Sequence, residues 1–221
     1  MYSFNVRIFL RILPTVWMPL LVTLEVFVLS SILALILGTL LALARRSRFR
    51  PLSLVAAAYI AFIRATPLLV QIYFIYYGGA KIGIILSALV TGILILGLHE
   101  AGYIAEIVRA GIDSITVQQY EASDSLGFTF AQKMRFVILP QAFRAILPPL
   151  ANQISYVVKD TSLLSVVGLS ELIKFARVTQ AETFSPPESF LPSIMSYLLI
   201  ILSALYVSKH LETTWRKRGG A

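Results

Sequence analysis

Long apolar runs alternate with short polar or basic breaks along this chain. Five runs are close to the length of helix that crosses a bilayer, roughly 20 residues. They cover about 20–43, 52–77, 84–112, 141–158 and 192–207. The pattern predicts an all-α integral membrane protein with about five transmembrane helices in a single transmembrane domain over 1–221. Residues 2–20 mix Arg7 and Arg11 with Phe, Ile and Leu before Trp17 and Pro19, which suits a short interfacial segment. The second run is interrupted by Arg64-Ala65-Thr66-Pro67. Pro67 removes a backbone donor, so a broken helix is expected there, satisfied by protein or by a wet cavity. In the fourth run, Pro148-Pro149 is expected to bend the first turns. Gly168 is followed by SELIKFARVTQ, whose Leu172, Ile173 and Ala176 share one face, and a short amphipathic outer helix is expected. Residues 182–192 read as a Pro-rich turn.

Composition agrees. Of 221 residues, 57% are hydrophobic and only 14% charged, and the mean hydropathy is +0.81. Soluble domains average about 45–50% apolar and about 25% charged. Arg7 and Arg11 before an apolar run mimic a signal peptide, but the run is too long and no small-x-small site follows. It is read as mature chain.

The net charge of +8 does not point to nucleic acid, because cytoplasmic loops of membrane proteins collect Lys and Arg. Arg45, Arg46, Arg48 and Arg50 follow the first run, Lys133 and Arg135 the third, and Lys209, Arg216, Lys217 and Arg218 the fifth. Opposite them stand only Arg7, Arg11, Lys81, Lys174 and Arg177. The bias places the N-terminus outside and the C-terminus in the cytoplasm.

Catalytic chemistry finds no support. There is no Cys, and the two histidines, His99 and His210, are in no metal-ligand spacing. No G-x-x-x-x-G-K-[ST] string occurs, so a P-loop is excluded. No cofactor or metal site is expected.

The long polar stretch is Glu121–Pro140, EASDSLGFTFAQKMRFVILP, within an inner loop over 113–140. Glu-Ala-Ser, three residues, Gly127, nine residues, then Val137-Ile138-Leu139-Pro140 resembles the EAA loop of permease subunits of bacterial ABC importers. Ser123 replaces an Ala of that pattern and Val137 an Ile. RATPLLVQ resembles the R-G-T-P-L-L-V-Q string of the polar amino acid branch, with Ala65 for Gly. AGYIAEIVRAGI resembles its A-Y-x-A-E-I-x-R-G-G-I string, and VVKDTSLLSVVGLSEL its K-D-T-S-L segment. Gln118-Gln119 stands where the branch has Gly-Gln.

The resemblance implies a permease subunit in the bacterial inner (plasma) membrane that breaks no bond. Its implied partners are two ATPase subunits, a second permease subunit (identical or similar), an extracytoplasmic substrate-binding protein, an amino-acid substrate and membrane lipid. Glu121, Ala122, Asp124 and Gly127 would form an ATPase-coupling helix between spans 3 and 4. That helix is expected from Glu121 to Leu126, stopped by Gly127 in a left-handed cap, with its two acids near the helix start.

Charges inside a bilayer cost roughly 3 kcal/mol or more each, so a functional or paired role is their default. Helix rise puts Arg64 about 18 Å from the inner end of span 2 and Glu100 about 24 Å down span 3. Asp160 caps span 4. A polar column of Arg64, Thr66, Glu100, Asp160, Thr161 and Ser162 suits a zwitterion, with Arg64 for a carboxylate and the acids for cationic groups. Pairing of Arg64 with Glu100 is the competing reading. Glu106 and Arg109, three apart, read as an interfacial ion pair. Glu25 reads as an outer interface residue, Lys159 as snorkelling outward, and His99 as a helix-packing polar group. Tyr73, Phe74, Tyr76 and Tyr77 read as an aromatic belt. Glu100 stands where the branch has a small or neutral residue, which tilts the expected substrate toward arginine, lysine or histidine. The alternative is an ion-coupled secondary transporter or channel that uses Glu100 and Asp160.

Overall fold

A computed structural model describes residues 4–217, and all its elements are helices. Of the basic C-terminal cluster, Arg218 lies outside the described residues, as do the side chains of Arg216 and Lys217. A first helix, α1 (Val6–Ile12), starts at Asn5, whose side chain accepts from the Arg7 and Ile8 amides. A 3-10 turn through Pro14 joins it to α2 (Trp17–Arg45). The 40 residues Val6–Arg45 therefore run as one continuous apolar helical stretch, where the sequence suggested a separate interfacial piece. The Asn5 amide donates to the buried carboxylate of Glu188, which ties this end to the last helix.

The second run is two helices, α3 (Arg50–Ala65) and α4 (Leu68–Tyr73), bent by 105° across Thr66-Pro67. The break was expected; its repair is new. Pro67 has no N–H, so the carbonyl of Ile63, four residues back, loses its partner. The Gln71 amide replaces it, with Nε2 donating to the Ile63 carbonyl at 3.0 Å and the Thr66 carbonyl at 3.2 Å. The break is satisfied by protein, as a membrane interior demands. A π-turn over Phe74–Gly78 and a single turn, α5 (Gly79–Lys81), finish the segment. Tyr73, Phe74 and Tyr77 are exposed as an aromatic belt requires, whereas Tyr76 packs against the core.

The central element is α6 (Ala88–Asp113), capped by Ser87, whose side chain accepts from the Val90 amide. It packs most extensively on α2. Small residues allow the approach: a Cβ on Gly97 would stand 2.5 Å from Leu33, and one on Gly38 2.7 Å from Ile104. Close small-residue contacts are the usual means of helix association where lipid removes the hydrophobic drive. Beyond α6 come α7 (Val117–Ser125) and α8 (Phe130–Lys133), then a π-turn into α9 (Leu139–Asp160). Pro148 and Pro149 fall in the middle of α9, not in its first turns.

After a 3-10 stretch, Gly168 turns the chain at φ +85°. α10 (Leu172–Thr183) buries Leu172, Ala176 and Thr179, close to the amphipathic expectation. The expected Pro-rich turn is mostly helix: α11 runs Pro186–Lys217, with Pro192 inside. Pro186 and Pro187 occupy first-turn positions, where a missing N–H costs nothing.

Among the described residues, three stretches are long and apolar enough to cross a membrane, Val6–Arg45, Ala88–Asp113 and Pro186–His210, and four if the bent pair counts as one. The expected fourth span, α9, is not among them. Gln141, Arg144, Asn152, Gln153, Lys159 and Asp160 make it too polar for lipid on all sides.

Candidate functional site

Two cavities meet along α6 and α9. One, of about 370 Å3, is lined by His99, Glu100, Tyr103, Gln153, Tyr156 and Asp160. The other, of about 620 Å3, is lined by Arg64 and Glu106 among others and shares Tyr103, Gln153 and Tyr156 with the first. The predicted charges thus converge: Glu100 from mid-α6, Asp160 from the end of α9, and Arg64 from the last turn of α3.

Glu100 is 1% exposed. Gln153 Nε2 donates to its Oε2 at 2.6 Å, and the side chains of Glu100 and Asp160 lie within hydrogen-bonding reach of each other. Two carboxyls so placed repel when both are ionised, and a cation between them removes the repulsion. Arg64 does not bridge to Glu100 among the described ion pairs. Its guanidinium lies over the Tyr103 ring, 5.4 Å from the centroid. Placement at the C-terminal end of α3 also favours this cation through the helix dipole.

The other three predicted site residues are elsewhere. Thr66 donates to the Phe62 carbonyl at 2.9 Å and accepts from Gln71 at 2.6 Å. Thr161 is buried, donates to the Val158 carbonyl and faces Tyr197. Ser162 lines neither cavity. The sequence reading passed over Tyr103, Gln153 and Tyr156. Spacing carried a signal for them, since Tyr103 is one turn beyond Glu100, and Gln153 and Tyr156 lie two turns and one turn before Asp160.

At the far end of α6, Glu106 and Arg109 form the expected pair, with Arg109 Nη2 at 2.7 Å from Oε2. They belong to a wider network. Arg109 also reaches Asp113 at 2.7 Å, Arg45 approaches Glu106 at 3.4 Å, and Arg46 pairs with Asp113. Outside the cavity, Glu25 is exposed and Lys159 is exposed over the Tyr156 ring, whereas His99 is buried in the cavity wall.

The polar stretch forms a largely exposed helix that touches α8 and, through Gln119, Gln141 of α9. α7 is exposed along most of its length, and Ser123 is its one buried residue. Its end is a Schellman motif: the Gly127 amide donates to the Asp124 carbonyl at 2.9 Å and the Phe128 amide to the Ser123 carbonyl at 3.1 Å. Gly127 has φ +73°, the expected left-handed cap. The helix starts at Val117, however, not Glu121. Its first turn holds no acid, so the dipole argument for Glu121 and Asp124 fails. Asp124 lies in the last turn and pairs instead with Lys133 of α8.

The family described as binding-protein-dependent transport system inner membrane component matches residues 34–217. A probable amino-acid ABC transporter permease protein, y4tG of Sinorhizobium fredii, is 38% identical over 198 residues, covering 89% of this chain and 86% of that one. The arginine transport system permease protein ArtQ of Bacillus subtilis is 32% identical over 201 residues, covering 90% and 92%. The probable glutamine permease GlnM of the same organism is 34% identical over 195 residues, covering 85% and 90%. A crystal structure of an amino acid ABC transporter with histidines superposes with a TM-score of 0.89 at 33% identity, covering 96% of this chain and all of that one. An inward-facing MetNI methionine ABC transporter, 17% identical, shares the fold at a TM-score of 0.70. The exposed helix α7, the converging cavity charges and these likenesses agree: the chain belongs to the binding-protein-dependent transport system inner membrane components, as an amino-acid ABC transporter permease subunit that sits in the inner membrane and is not itself an enzyme.

Proposed function

We propose that this subunit carries a cationic amino acid, arginine, lysine or histidine, through the cavities between α3, α6 and α9. The observation that carries this reading is the buried Glu100 beside Asp160 in one cavity, with Gln153 rather than a basic residue on Glu100. Two acids facing each other in a low-dielectric wall favour a cationic head group. Arg64, on the adjoining cavity, takes the substrate carboxylate. Relatives named for arginine and for glutamine are similarly close, so likeness alone does not choose the substrate.

Family membership implies ATPase and binding-protein partners. In the proposed assembly two permease subunits, identical or similar, meet two ATPase subunits. Each ATPase receives α7, with Glu121, Ala122, Asp124 and Gly127 at the contact. Exposed Val117, Leu126 and Phe130 around that helix give it apolar surface to bury. The basic ends of α2 and α11 face the cytoplasm, the N-terminus faces outward, and five segments cross the bilayer, with α9 shielded by neighbours. The binding protein docks on the side of α10. The ion-coupled alternative lacks a supporting observation of its own, since family membership places the energy source in the ATPase.

The test is uptake into vesicles that hold the complete transporter and are supplied with binding protein. Glu100→Gln is expected to raise KM for arginine or lysine about 10- to 100-fold, the worth of a charge-assisted hydrogen bond of roughly 1.5–3 kcal/mol. Neutral glutamine should change far less. Equal effects on both would refute the cationic assignment. Uptake that persists without ATPase subunits would refute the coupling.

A further inference from the structure

The repair of the broken helix has a chemical consequence inside the cavity. Gln71 is 8% exposed and belongs to neither cavity. Its Nε2 faces three oxygens: the Ile63 carbonyl at 3.0 Å, the Thr66 carbonyl at 3.2 Å and Thr66 Oγ1 at 2.6 Å. Backbone carbonyls only accept. The Thr66 hydroxyl has already given its proton to the Phe62 carbonyl, so it too accepts from Gln71. The amide therefore has one orientation, because a flip would set Oε1 against three acceptors.

Oε1 then faces His99 Nδ1 at 3.1 Å. A carboxamide oxygen has no proton to give, so Nδ1 must carry it. In a neutral imidazole the other nitrogen, Nε2, is then a bare acceptor. His99 lines the cavity with Glu100 and Asp160, and Nε2 is the nitrogen it has left to offer there.

We infer that Gln71 is a positioning residue for substrate selection: by pinning the Thr66-Pro67 break it holds neutral His99 as the Nδ1–H tautomer, so that Nε2 joins Glu100 and Asp160 as a third acceptor in the cavity. Such a wall suits a head group that only donates, a guanidinium or an ammonium. It penalises a carboxamide, whose oxygen would face acceptors. The selection step rests on the proposed cationic function; the tautomer assignment does not.

The chain has two histidines, so histidine labelled with 15N gives two ring systems. In the complete transporter, reassembled in nanodiscs from this subunit labelled with 15N-histidine and unlabelled partners, a His210→Gln variant leaves only His99 visible. The expected spectrum shows Nδ1 in its protonated range and Nε2 in its bare range. A neutral Nε2–H tautomer or an imidazolium would overturn the inference without any change to Gln71. In Gln71→Met the signal should move to mixed tautomers, and KM for arginine or lysine should rise about tenfold, the loss of one hydrogen bond of about 1–1.5 kcal/mol. Turnover at saturating substrate should change less than twofold. An unmoved tautomer in Gln71→Met, or a fall in turnover with KM unchanged, would also overturn it. If the tautomer is as stated but wild-type transporter prefers glutamine to arginine, the cationic function fails and the positioning of His99 stands.

Discussion

Gly127 offers a clean separation of backbone strain from packing. Its φ is +73°, and a Cβ added there meets nothing within 4 Å. Any substitution penalty is therefore conformational. A left-handed backbone costs an L-residue roughly 1–2 kcal/mol, less for Asn and more for β-branched residues. The penalty falls on the two bonds that end α7, Gly127 to Asp124 and Phe128 to Ser123. Opening of this cap should become about 5- to 30-fold more frequent in Gly127→Ala, so the Phe128 amide should exchange its hydrogen faster by that factor. Gly127→Asn should rank below Ala, and Gly127→Val above it. Because α7 is largely exposed and its link to the bundle, Gln119 with Gln141 of α9, lies far from the cap, unfolding of the bundle should shift little across the series. Affinity for the ATPase should fall in the same order, as expected if the docked form needs the intact cap. Exchange rates that ignore the Asn, Ala, Val order would refute the strain argument. Ordered exchange with unchanged ATPase affinity would refute the docking role of α7 alone.

Two further predictions concern packing and a buried acid. A Cβ at Gly111 would stand 2.2 Å from Ile146 Cγ1 and 3.3 Å from the Ala142 carbonyl, so Gly111→Ala should lower stability by about 1–3 kcal/mol in a detergent melt. The double variant with Ile146→Ala should lose less than the sum of the two single changes, because the clash goes with the side chain; simple additivity would count against it. Tyr197 donates to Glu171 Oε2 at 2.9 Å, and Glu171 is fully buried at the start of α10. Tyr197→Phe should therefore cost about 1–3 kcal/mol in the same melt; no change would mean that the Ile173 and Lys174 amides suffice for that carboxylate.

What the sequence disclosed depended on how far along the chain each cause reaches. The cap at Gly127 and the break at Pro67 are caused within a few residues, and both could be read directly. The start of α7 was also local but was missed: Thr116 followed by Gln119 has the spacing of a capping box, although Thr116 makes no cap bond here. Likewise, Ser185 before Pro186, Pro187 and Glu188 is a helix-start pattern, which the proline count disguised as a turn. The repair by Gln71 lies between these cases. The orphan carbonyl at Ile63 follows from Pro67, but which donor reaches it depends on the 105° bend, and no periodicity gives that angle.

The cavity shows the same limit in energetic form. Arg64, Glu100 and Asp160 announce themselves because a charge in an apolar run is costly and must be explained. Gln153, Tyr103 and Tyr156 carry no charge and cost less than Arg64, Glu100 or Asp160, so they stand out less until the fold brings them to the same cavity. Two rigid elements link this cavity to the proposed coupling surface: α9, whose Gln141 donates to Gln119 of α7, and α6. From Glu100 to Asp113 it spans thirteen residues, about 20 Å. Its faces are fixed on α2 by side chains too close for a Cβ at Gly38 or Gly97, and on α9 by the same device at Gly111. Packing that tight does not deform gradually. A displacement of α7 must therefore either break the Arg46, Arg109 and Asp113 contacts at the end of α6 or move α6 with its partners, and with them Glu100 relative to Arg64 on α3.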